Sequence, residues 1–331
     1  LERDNLTVLT DTQVNKILID GSHAKGVECI GSDSNSFTIH ASKEVILSSG
    51  AFGSPQILLR SGVGPANEIV RHGINHLVDL PGVGKNLQDH IDYITVHKYS
   101  SMKLIGFSLK NILFKYPYEI LKYLFTKTGL FTSTIAEAGA FIKTKDELDI
   151  PNIQFHYAPA MIVDHGRTLL WGTGMSCHSC LLRPKSLGEV TLASADPFAD
   201  PLIDPKFLSH PDDMKDMIDG YKVMMRVLGS EPFSKYITEH TQRPIDINNN
   251  ADIEQAMREG ADTVYHPVGT CKMGDDDMSV VDSRLKVHKV NGLRVVDASI
   301  MPTIVGGNTN APTIMIGEKA SDMILEDWNI H

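Results

Sequence analysis

The sequence lacks any run of basic residues that could follow the phosphates of a nucleic acid. Its 31 lysines and arginines are scattered, and 41 acidic residues bring the formal net charge to −10, which also disfavours binding to an anionic membrane surface. No apolar run approaches the roughly 20 residues that a membrane-spanning helix requires. We therefore expect neither a nucleic-acid partner nor a membrane span.

Cysteine is also scarce. Of the four cysteines, only Cys177 and Cys180, in the stretch "CHSC", have a spacing known from metal and redox sites. A single CxxC without a second pair is a weak zinc signal. Because the surrounding stretch has the pattern of an extended strand, these two side chains point to opposite faces. The pattern favours buried or free thiols and no metal site.

Short apolar stretches separated by turn residues dominate residues 5–47. The stretches are "LTVL", "VNKILI", "GVECI", "FTIHA" and "EVILSSG", and they predict a set of strands. After the last of them, residues 50–53 predict a tight glycine turn, and Ser54-Pro55 predict the cap and first turn of a helix. With 331 residues, of which 42% are hydrophobic, the chain is long enough for one large domain or two ordinary ones.

The middle of the chain has a different pattern. Residues 107–129 mix helical spacing with aromatic residues and indicate a helical insertion or lid. The stretches "NIQFHYAPAMIV", "SCLLRPKSLGEVTLASADP" and "PLIDPKFL" predict half-buried strands of an antiparallel sheet. In "HPDDMKDMIDGYKVMMRVLGS" the methionines recur at helical intervals, which is typical of a helix facing the core. We predict a discontinuous α/β domain, residues 1–90 and 264–331, that holds an inserted antiparallel-sheet domain, residues 91–263.

One histidine has a local setting that suits catalysis. His266 lies between Tyr265 and Pro267, and the proline favours extended backbone at the histidine. A histidine at a strand end beside a glycine-bearing loop can act as a general base near neutral pH. On local sequence alone, a hydrogen-bonded core histidine is the more common outcome among the 14 histidines.

The stretch "LRVVDASIMPTIVGGNTNAPTIMIGEKASDMI" has the pattern of a buried strand, a polar loop and a long helix. The strand delivers Asp297 and Ala298 to its carboxyl end, where ligands bind in sheets of this type. Asp297 either hydrogen-bonds a cofactor ribose or ribityl chain or caps the following turn, and the sequence supports both interpretations equally. Asn310 is the predicted helix cap, which leaves Asn308 free to face a ligand.

The helix that follows aims its positive N-terminal end at whatever lies beside Asn308. Such an end stabilises a negative charge on a ligand by roughly 0.3–2 kcal/mol. Neither of the two GVG triplets, at residues 62–64 and 82–84, is a GxGxxG following a strand. A dinucleotide-binding fingerprint is therefore absent from this sequence.

Three of these stretches resemble a known family. "GAFGSPQILLRSGVGP" (50–65) resembles the second signature of the glucose–methanol–choline (GMC) oxidoreductases, and the segment from "YHPVGTCKMG" through the tail resembles their C-terminal segment. "LLRPKSLGEVTLASADPFADPLIDPKFL" resembles the opening of their substrate-side region. The resemblance covers residues 5–327 and is closest in character to insect glucose dehydrogenase-like members, which are often secreted.

The resemblance implies a fold and an activity. The fold is α/β, with a partial FAD-binding Rossmann-like domain and an inserted antiparallel-sheet substrate domain. The activity is FAD-dependent oxidation of a CH–OH group in an alcohol or sugar, with oxygen or a quinone as the electron acceptor. His266 matches the family's catalytic histidine, and Asn308 matches its second catalytic position. His266 would accept the hydroxyl proton while hydride leaves for flavin N5, and Asn308 would hold the substrate oxygen.

The resemblance also implies contacts to FAD. A backbone contact to the adenine is implied near Val14. The other implied cofactor-binding residues are Asp297, Ala298, Asn308, Thr309 and Pro312. The loop "GVGKNLQDH" lies close to the domain junction in relatives, but we assign its residues Asn86 and His90 no chemical role.

Relatives in the family are longer and begin with a βαβ unit that carries GxGxxG. We expect this chain to be a piece of a longer protein, whose N-terminal FAD-binding segment would be a partner of these residues. The alternatives are a separate N-terminal polypeptide, or a truncated non-catalytic fragment that acts as a binding or interaction protein. Without the βαβ unit, we expect exposed sheet edges and apolar faces.

Overall fold

A computed structural model describes residues 3–99, 105–168, 170–240 and 245–329, apart from the side chains of His165 and His240. The strands in these residues are β1 (Gln13–Asp20), β2 (His23–Ile30), β3 (Ser36–His40), β4 (Val45–Leu47), β5 (Val63–Gly64), β6 (Val78–Asp79), β7 (Lys85–Leu87), β8 (Ile91–Tyr99), β9 (Gly106–Phe107), β10 (Ala138–Ile142), β11 (Ile153–Ala158), β12 (Gly172–Leu181), β13 (Gly188–Thr191), β14 (Leu202–Asp204), β15 (Ile237–His240), β16 (Asp262–Thr263) and β17 (Leu293–Val295). The helices are α1 (Gly50–Arg60), α2 (Ala66–Val70), α3 (Tyr116–Thr126), α4 (Pro211–Leu228), α5 (Glu231–Ser234), α6 (Asn250–Gly260) and α7 (Asn310–Asp327).

These elements form two compact units. Unit 1 comprises residues 1–89, 186–207 and 266–331, and unit 2 comprises residues 90–185 and 208–265. The division predicted from the sequence assigned the segment that carries β13 and β14 to the inserted domain. In the structure this segment packs with unit 1, because β13 pairs with both β14 and β7.

Unit 1 combines small sheets with helices. β1, β2 and β3 form one antiparallel sheet, and β14, β13 and β7 form another. β4 and β17 form a parallel pair, with Val45 opposite Leu293 and Leu47 opposite Val295. The fully buried side chains of its core are mostly aliphatic, and they include Leu58, Leu59, Val63, Ile69, Val268, Val280, Val281 and Val295.

Unit 2 is built around a seven-stranded sheet. Its strand order is β10-β11-β12-β8-β15, with β16 also paired to β8 and β9 to β12, and all of these pairs are antiparallel. Met214, Met217 and Met224 of α4 are buried, so the predicted core role of the methionine stripe is confirmed. The predicted α/β class with an inserted antiparallel sheet is confirmed as well.

One predicted strand does not form. Residues 6–9, "LTVL", have no regular structure, although the four stretches that follow them do contain β1 to β4. Leu6, Val8 and Leu9 are each about half exposed, at 50%, 51% and 52%. An apolar run becomes a strand only where a neighbour supplies hydrogen bonds, and in the described residues this run pairs with no strand.

The helix after β4 begins earlier than predicted. α1 begins at Gly50, so Ser54 and Pro55 lie inside it and are not its cap and first residue. A proline within a helix removes one backbone donor. The acceptor left open is the carbonyl of Ala51, and the Thr270 hydroxyl donates to it at 2.6 Å. A side chain distant in sequence thereby compensates for the proline.

Two further properties concern classes of site. No helix in the described part of the chain combines the length and hydropathy needed to cross a bilayer. Nor do any three His, Cys, Asp or Glu side chains among those residues lie close enough together to hold a metal ion. All four cysteines are buried and none of them forms a disulfide, and burial raises the pKa of the Cys177 thiol. The prediction of buried thiols is confirmed.

Candidate active site

His266 lies in an irregular segment of unit 1, two residues before an isolated antiparallel bridge between Val268 and Gln88. Its backbone N–H donates to Oδ1 of Asp89 at 2.9 Å, and only 8% of the residue is exposed. Tyr265, which precedes it, has a φ of 67°, a left-handed value that is uncommon for a residue with a side chain. The imidazole is therefore held by its own backbone at a sharp change of chain direction.

Asn308 lies in the loop that leads into α7. The helix begins at Asn310, so the predicted cap is instead its first helical residue, and Thr309 precedes it without a side-chain capping bond. Asn308 is exposed, whereas Thr309 is buried. The long helix predicted after this loop is confirmed as α7, and its N-terminal end lies immediately beyond Asn308.

The structure brings these two predicted catalytic residues together. Nδ2 of Asn308 lies 3.3 Å from Nε2 of His266, although 42 residues separate them in the chain. In the tautomer with an unprotonated Nε2, this nitrogen accepts from the amide NH₂ group of Asn308. A neutral imidazole beside an amide can take a proton from a hydroxyl group, while the amide donates to or accepts from the same oxygen.

Asp297 and Ala298 adjoin the His266 segment, because the N–H of Gly269 donates to the Ala298 carbonyl at 3.3 Å. The Asp297 carboxylate is engaged inside unit 1. Oδ2 accepts from the Gly50 N–H at 3.0 Å and from the Ser54 hydroxyl at 2.6 Å. Oδ1 accepts from the Ser299 N–H at 2.8 Å. The side chain therefore caps both α1 and the 3₁₀ turn Ala298–Ile300, and a cofactor contact at this position stays a prediction.

Val14 is the residue implied to lie near an adenine. It is in β1 beside a cavity of about 460 Å³, and its carbonyl accepts from the Arg60 guanidinium at 3.3 Å. The start of α1 contributes Ser49 and Gly53 to the lining of the same cavity. The cavity and the Asp297 carboxylate thus both lie at the N-terminal end of α1.

The remaining predicted residues, Thr309 and Pro312, belong to the N-terminal end of α7. The Thr309 carbonyl accepts from the backbone and the hydroxyl of Thr313 at 3.1 Å and 2.7 Å. Pro312 is half-buried in the first turn, where a missing N–H removes no helical hydrogen bond. Among the described residues, neither Thr309 nor Pro312 lines the cavity beside Val14, so the predicted cofactor residues form two groups along unit 1.

Sequence reasoning missed the residues that connect the site. Gln88 and Asp89 hydrogen-bond to the segments that carry His266 and Asn308. Both residues lie in the loop "GVGKNLQDH", but side-chain type alone does not show which backbone groups a glutamine will meet. Its position between two glycines and a strand was the available signal.

A second polar group was also missed, on the sheet of unit 2. His178 Nδ1 lies 2.6 Å from Oδ2 of Asp92, and the His156 ring is 6.1 Å from the His178 ring. Burial lowers the pKa of His156, although the nearby Asp92 acts in the opposite direction. Oδ1 of Asp92 and Oε1 of Gln154 are buried without a hydrogen-bond partner. The alternation of polar residues along β8, β11 and β12 was the signal that could have identified this group.

The residues of unit 1 fit part of an FAD molecule. The cavity beside Val14 is large enough for a nucleobase, and the N-terminal end of α7 suits an electron-rich ring edge. The His266–Asn308 pair supplies groups that can handle a hydroxyl proton. The chain contains no GxGxxG loop to bind the pyrophosphate, so the fit is limited to these positions.

Family models described as GMC oxidoreductase match two parts of this chain. The first matches residues 1–92, and the second matches residues 184–317. Between them they include every predicted site residue from Val14 to Pro312.

Curated relatives match along nearly the whole chain. The alcohol dehydrogenase [acceptor] of Pseudomonas putida is 43% identical over 326 residues, which cover 98% of this chain and 59% of the relative. The oxygen-dependent choline dehydrogenase of Escherichia coli (strain K12) is 39% identical over 323 residues, covering 97% of this chain and 58% of that protein. The chain therefore spans less than two thirds of the length of these relatives.

Solved structures share the fold. Formate oxidase from Aspergillus oryzae superposes with a TM-score of 0.91 at 28% identity, covering 100% of this chain and 63% of that chain. Pyridoxine 4-oxidase from Mesorbium loti gives a TM-score of 0.83 at 25% identity, covering 97% of this chain and 58% of that one. The sequence and the fold point to the same group of flavoenzymes.

Proposed function

The chain belongs to the GMC oxidoreductase family, and from that premise we propose that the protein is an FAD-dependent oxidoreductase that oxidises the CH–OH group of a small alcohol. The family consists of FAD flavoproteins. The observation that carries the proposal is the 3.3 Å approach of Asn308 to His266 in unit 1. The names of the alcohol and choline dehydrogenase relatives support an alcohol as the substrate class.

In this mechanism, bound FAD supplies the hydride acceptor. His266 takes the hydroxyl proton of the substrate at Nε2, the nitrogen that faces Asn308. It must be neutral to do so, in the tautomer that leaves Nε2 without a proton. Asn308 orients the substrate oxygen with an amide that does not titrate near neutral pH. Burial of His266 keeps bulk water from the imidazole, which limits loss of the proton to solvent.

The residues proposed to hold the cofactor are those predicted from the resemblance. Val14 would lie beside the adenine, at the cavity described above. The end of α7 would face the ring system, since a helix N-terminus stabilises the negative charge that reduction adds. The rest of the set is Asp297 and Ala298, which follow β17, and Asn308, Thr309 and Pro312 at the N-terminal end of α7.

Three finer features belong to the proposal. The substrate could also be a sugar, as the likeness to insect glucose dehydrogenases suggests, whereas the relatives named above are bacterial alcohol and choline dehydrogenases. The electron acceptor is oxygen or a quinone. The binding site for FAD would be completed by an N-terminal segment that carries the GxGxxG loop.

A kinetic experiment tests the role of His266. In the flavin-loaded protein, His266→Ala should slow flavin reduction by an alcohol about 10²–10⁴-fold, because the proton then has no acceptor. The rate is measured by anaerobic stopped-flow absorbance of the flavin. His288→Ala is the matched control, since the His288 ring is also part-buried in unit 1 and bonds to a backbone carbonyl, that of Gly274.

An unchanged reduction rate in His266→Ala would remove the histidine from this role. The alternative function, a non-catalytic binding or interaction protein, makes a different prediction. If a protein with intact His266 neither binds FAD in a titration nor reduces a dye with any alcohol, the alternative is favoured. The family assignment would be unaffected by that result.

A further inference from the structure

Gln88 hydrogen-bonds to the segment that carries His266. Its backbone forms both bonds of an antiparallel bridge with Val268, with N···O distances of 3.0 Å and 2.9 Å. The next residue, Asp89, accepts from the His266 backbone N–H at 2.9 Å. Asp89 therefore binds the histidine segment at His266, and Gln88 binds it two residues later at Val268.

The side chain of the same glutamine reaches the segment that leads to Asn308. Its Nε2 donates to the Pro302 carbonyl at 3.1 Å, and its Oε1 accepts from the Ile304 N–H at 3.1 Å. Asn86 assists, since its Nδ2 lies 3.3 Å from the same Pro302 carbonyl and 3.2 Å from the Gly269 carbonyl. One side chain thus fixes a donor and an acceptor of the loop that ends at Asn308.

Gly269 allows this close approach. A Cβ at this position would lie 2.4 Å from the Asn86 carbonyl oxygen and 3.3 Å from Gln88 Nε2, and the φ of Gly269 is 93°. A side chain could not be placed here without moving the loop that carries Gln88. The contact between the two segments therefore depends on backbone packing as well as on hydrogen bonds.

We infer that Gln88 is a positioning residue, which sets the distance between His266 and Asn308 by hydrogen-bonding to both of their segments at once. Gln88 is 3% exposed, so a lost bond leaves a buried polar group without water to replace it. The glutamine amide offers a donor and an acceptor together, and both are used here. The inference rests on the proposed function, since the distance matters only if the pair is catalytic.

The consequence for catalysis follows from how sensitive a reaction is to placement. Catalytic groups must be held within about 0.5 Å of their working geometry, and a misplacement of about 1 Å can cost 10²-fold in rate. Asn308 itself is exposed and lies in a loop, so its own packing supplies little restraint. The restraint comes from Pro302 and Ile304, which Gln88 holds.

Amide hydrogen exchange, read by mass spectrometry, tests the coupling without any cofactor. In the 331-residue chain, Gln88→Leu should speed exchange in residues 302–309 at least about 10-fold, because the side-chain bonds to Pro302 and Ile304 are lost. Exchange in residues 264–269 should rise as well, because the backbone bridge to Val268 is then formed by a loop that has lost its attachment to residues 302–304. Ser61→Ala is the matched control. It removes a buried side chain of unit 1 that also bonds two backbone groups, the Ile17 N–H and the Ile57 carbonyl.

The control should destabilise unit 1 without a selective change in the two segments. A change confined to one segment, or an equal change in Ser61→Ala, would overturn the positioning role. Gln88→Glu sharpens the test, because it keeps the acceptor for Ile304 but loses the donor to Pro302. Its exchange should rise in 302–309, and no rise there would also contradict the inference.

Kinetics in the flavin-loaded protein then separate this inference from the proposed function. Gln88→Leu should lower the limiting rate of flavin reduction about 10–100-fold with little change in KM, because the substrate still binds while the pair is misplaced. If the parent protein does not reduce flavin at all, the proposed function fails, and the exchange result alone decides the coupling. If the parent reduces flavin and Gln88→Leu does so at the same rate, the positioning role is wrong.

Discussion

The carboxylate of Asp297 has a structural task whether or not it contacts a cofactor. It accepts hydrogen bonds from the Gly50 N–H, the Ser54 hydroxyl and the Ser299 N–H, and only 6% of the residue is exposed. Three donors converge on two oxygens, so both oxygens must be acceptors. An amide at this position would turn an NH₂ group toward a donor.

Asp297→Asn should therefore lower the free energy of unfolding of unit 1 by about 1–3 kcal/mol in the absence of FAD, since at least one buried donor loses its partner. Urea denaturation followed by Trp328 fluorescence measures this, in a Trp171→Phe background that leaves Trp328 as the single tryptophan. Asp20→Asn, at the exposed end of β1, is the control and should change stability little. A stability equal to the parent would show that the capping bonds contribute nothing.

At the scale of single residues, the sequence predicted identities better than contacts. His266 and Asn308 were found from a motif, because the resemblance assigns roles to positions. Their approach to 3.3 Å is an outcome of folding that no local pattern contains. Gln88 could not be found in this way, because its partners at 268, 302 and 304 are backbone groups, which are the same for almost every residue type.

Among the elements, α7 is fixed to unit 1 by charges at its C-terminal end. The Asp327 carboxylate is paired with Lys286, Arg294 and Arg284. Arg294 is almost fully buried, and it also donates to Glu44 at 2.7 Å. Trp328 adds a bond from its indole N–H to the same Glu44 at 3.0 Å. The end of the helix is therefore tied to β17 and to the residue before β4.

These cations give a pH prediction. Lys286, followed by the two arginines, holds the pKa of Asp327 well below its ordinary value of 3.8. Because the pKa is lower in the folded state, the pairing stabilises the fold above about pH 4, and the stabilisation is lost as the pH falls below the ordinary value toward the folded one. Lowering the pH below about 4 should therefore weaken the attachment of the C-terminal end of α7 to unit 1. A change of pH near neutrality should not affect this attachment.

Asp327→Asn tests this at the level of the helix. We expect a loss of about 1 kcal/mol at pH 7, which is modest because solvent partly screens the carboxylate, and a flatter decline of stability between pH 4 and pH 2 than in the parent. The measurement is urea denaturation by circular dichroism across this pH range. Asp322→Asn, on an exposed turn of α7 with a single lysine partner, is the control. Parallel pH curves for Asp327→Asn and the parent would contradict the prediction.

Periodicity predicted long helices well and helix beginnings poorly. α4 and α7 were identified because each shows apolar or capping signals within its own sequence. The beginning of α1 was misplaced because its cap is the Asp297 carboxylate and its proline is accommodated by Thr270, both more than 200 residues away. When a distant residue caps a helix, the sequence around the first residue of the helix does not show where the helix begins.

At the scale of the whole molecule, the same non-local effect moved a domain boundary. Residues 186–207 read as a continuation of the antiparallel sheet that contains β12. They pack instead in unit 1, since Gly188 and Glu189 of β13 lie opposite Leu87 and Lys85 of β7. The ion pair between Lys85 and Glu189 joins these strands further. Strand-like composition identifies a strand but not the sheet that receives it.

The parallel pair of β4 and β17 forms a sheet of only two strands in the described residues. Among the described residues, no third strand pairs with either of them, and Ile46 of β4 is 44% exposed although Val45 and Leu47 are buried. Parallel strands are normally buried on both faces and read as continuous apolar runs. The expectation that a further segment of polypeptide covers this pair stays a prediction.

Ile46→Lys tests whether polypeptide outside this sequence covers β4. In the 331-residue chain, a lysine at a half-exposed position should change the free energy of unfolding by no more than about 0.5 kcal/mol. In a longer form with the N-terminal FAD-binding segment, the charge would be buried without a partner and should cost several kcal/mol. Val70→Lys is the matched control, because Val70 is 60% exposed on α2 and should tolerate lysine in both forms. If Ile46→Lys changes the free energy of unfolding equally in the short and long proteins, the additional polypeptide does not cover Ile46. The prediction that it covers β4 would then be wrong.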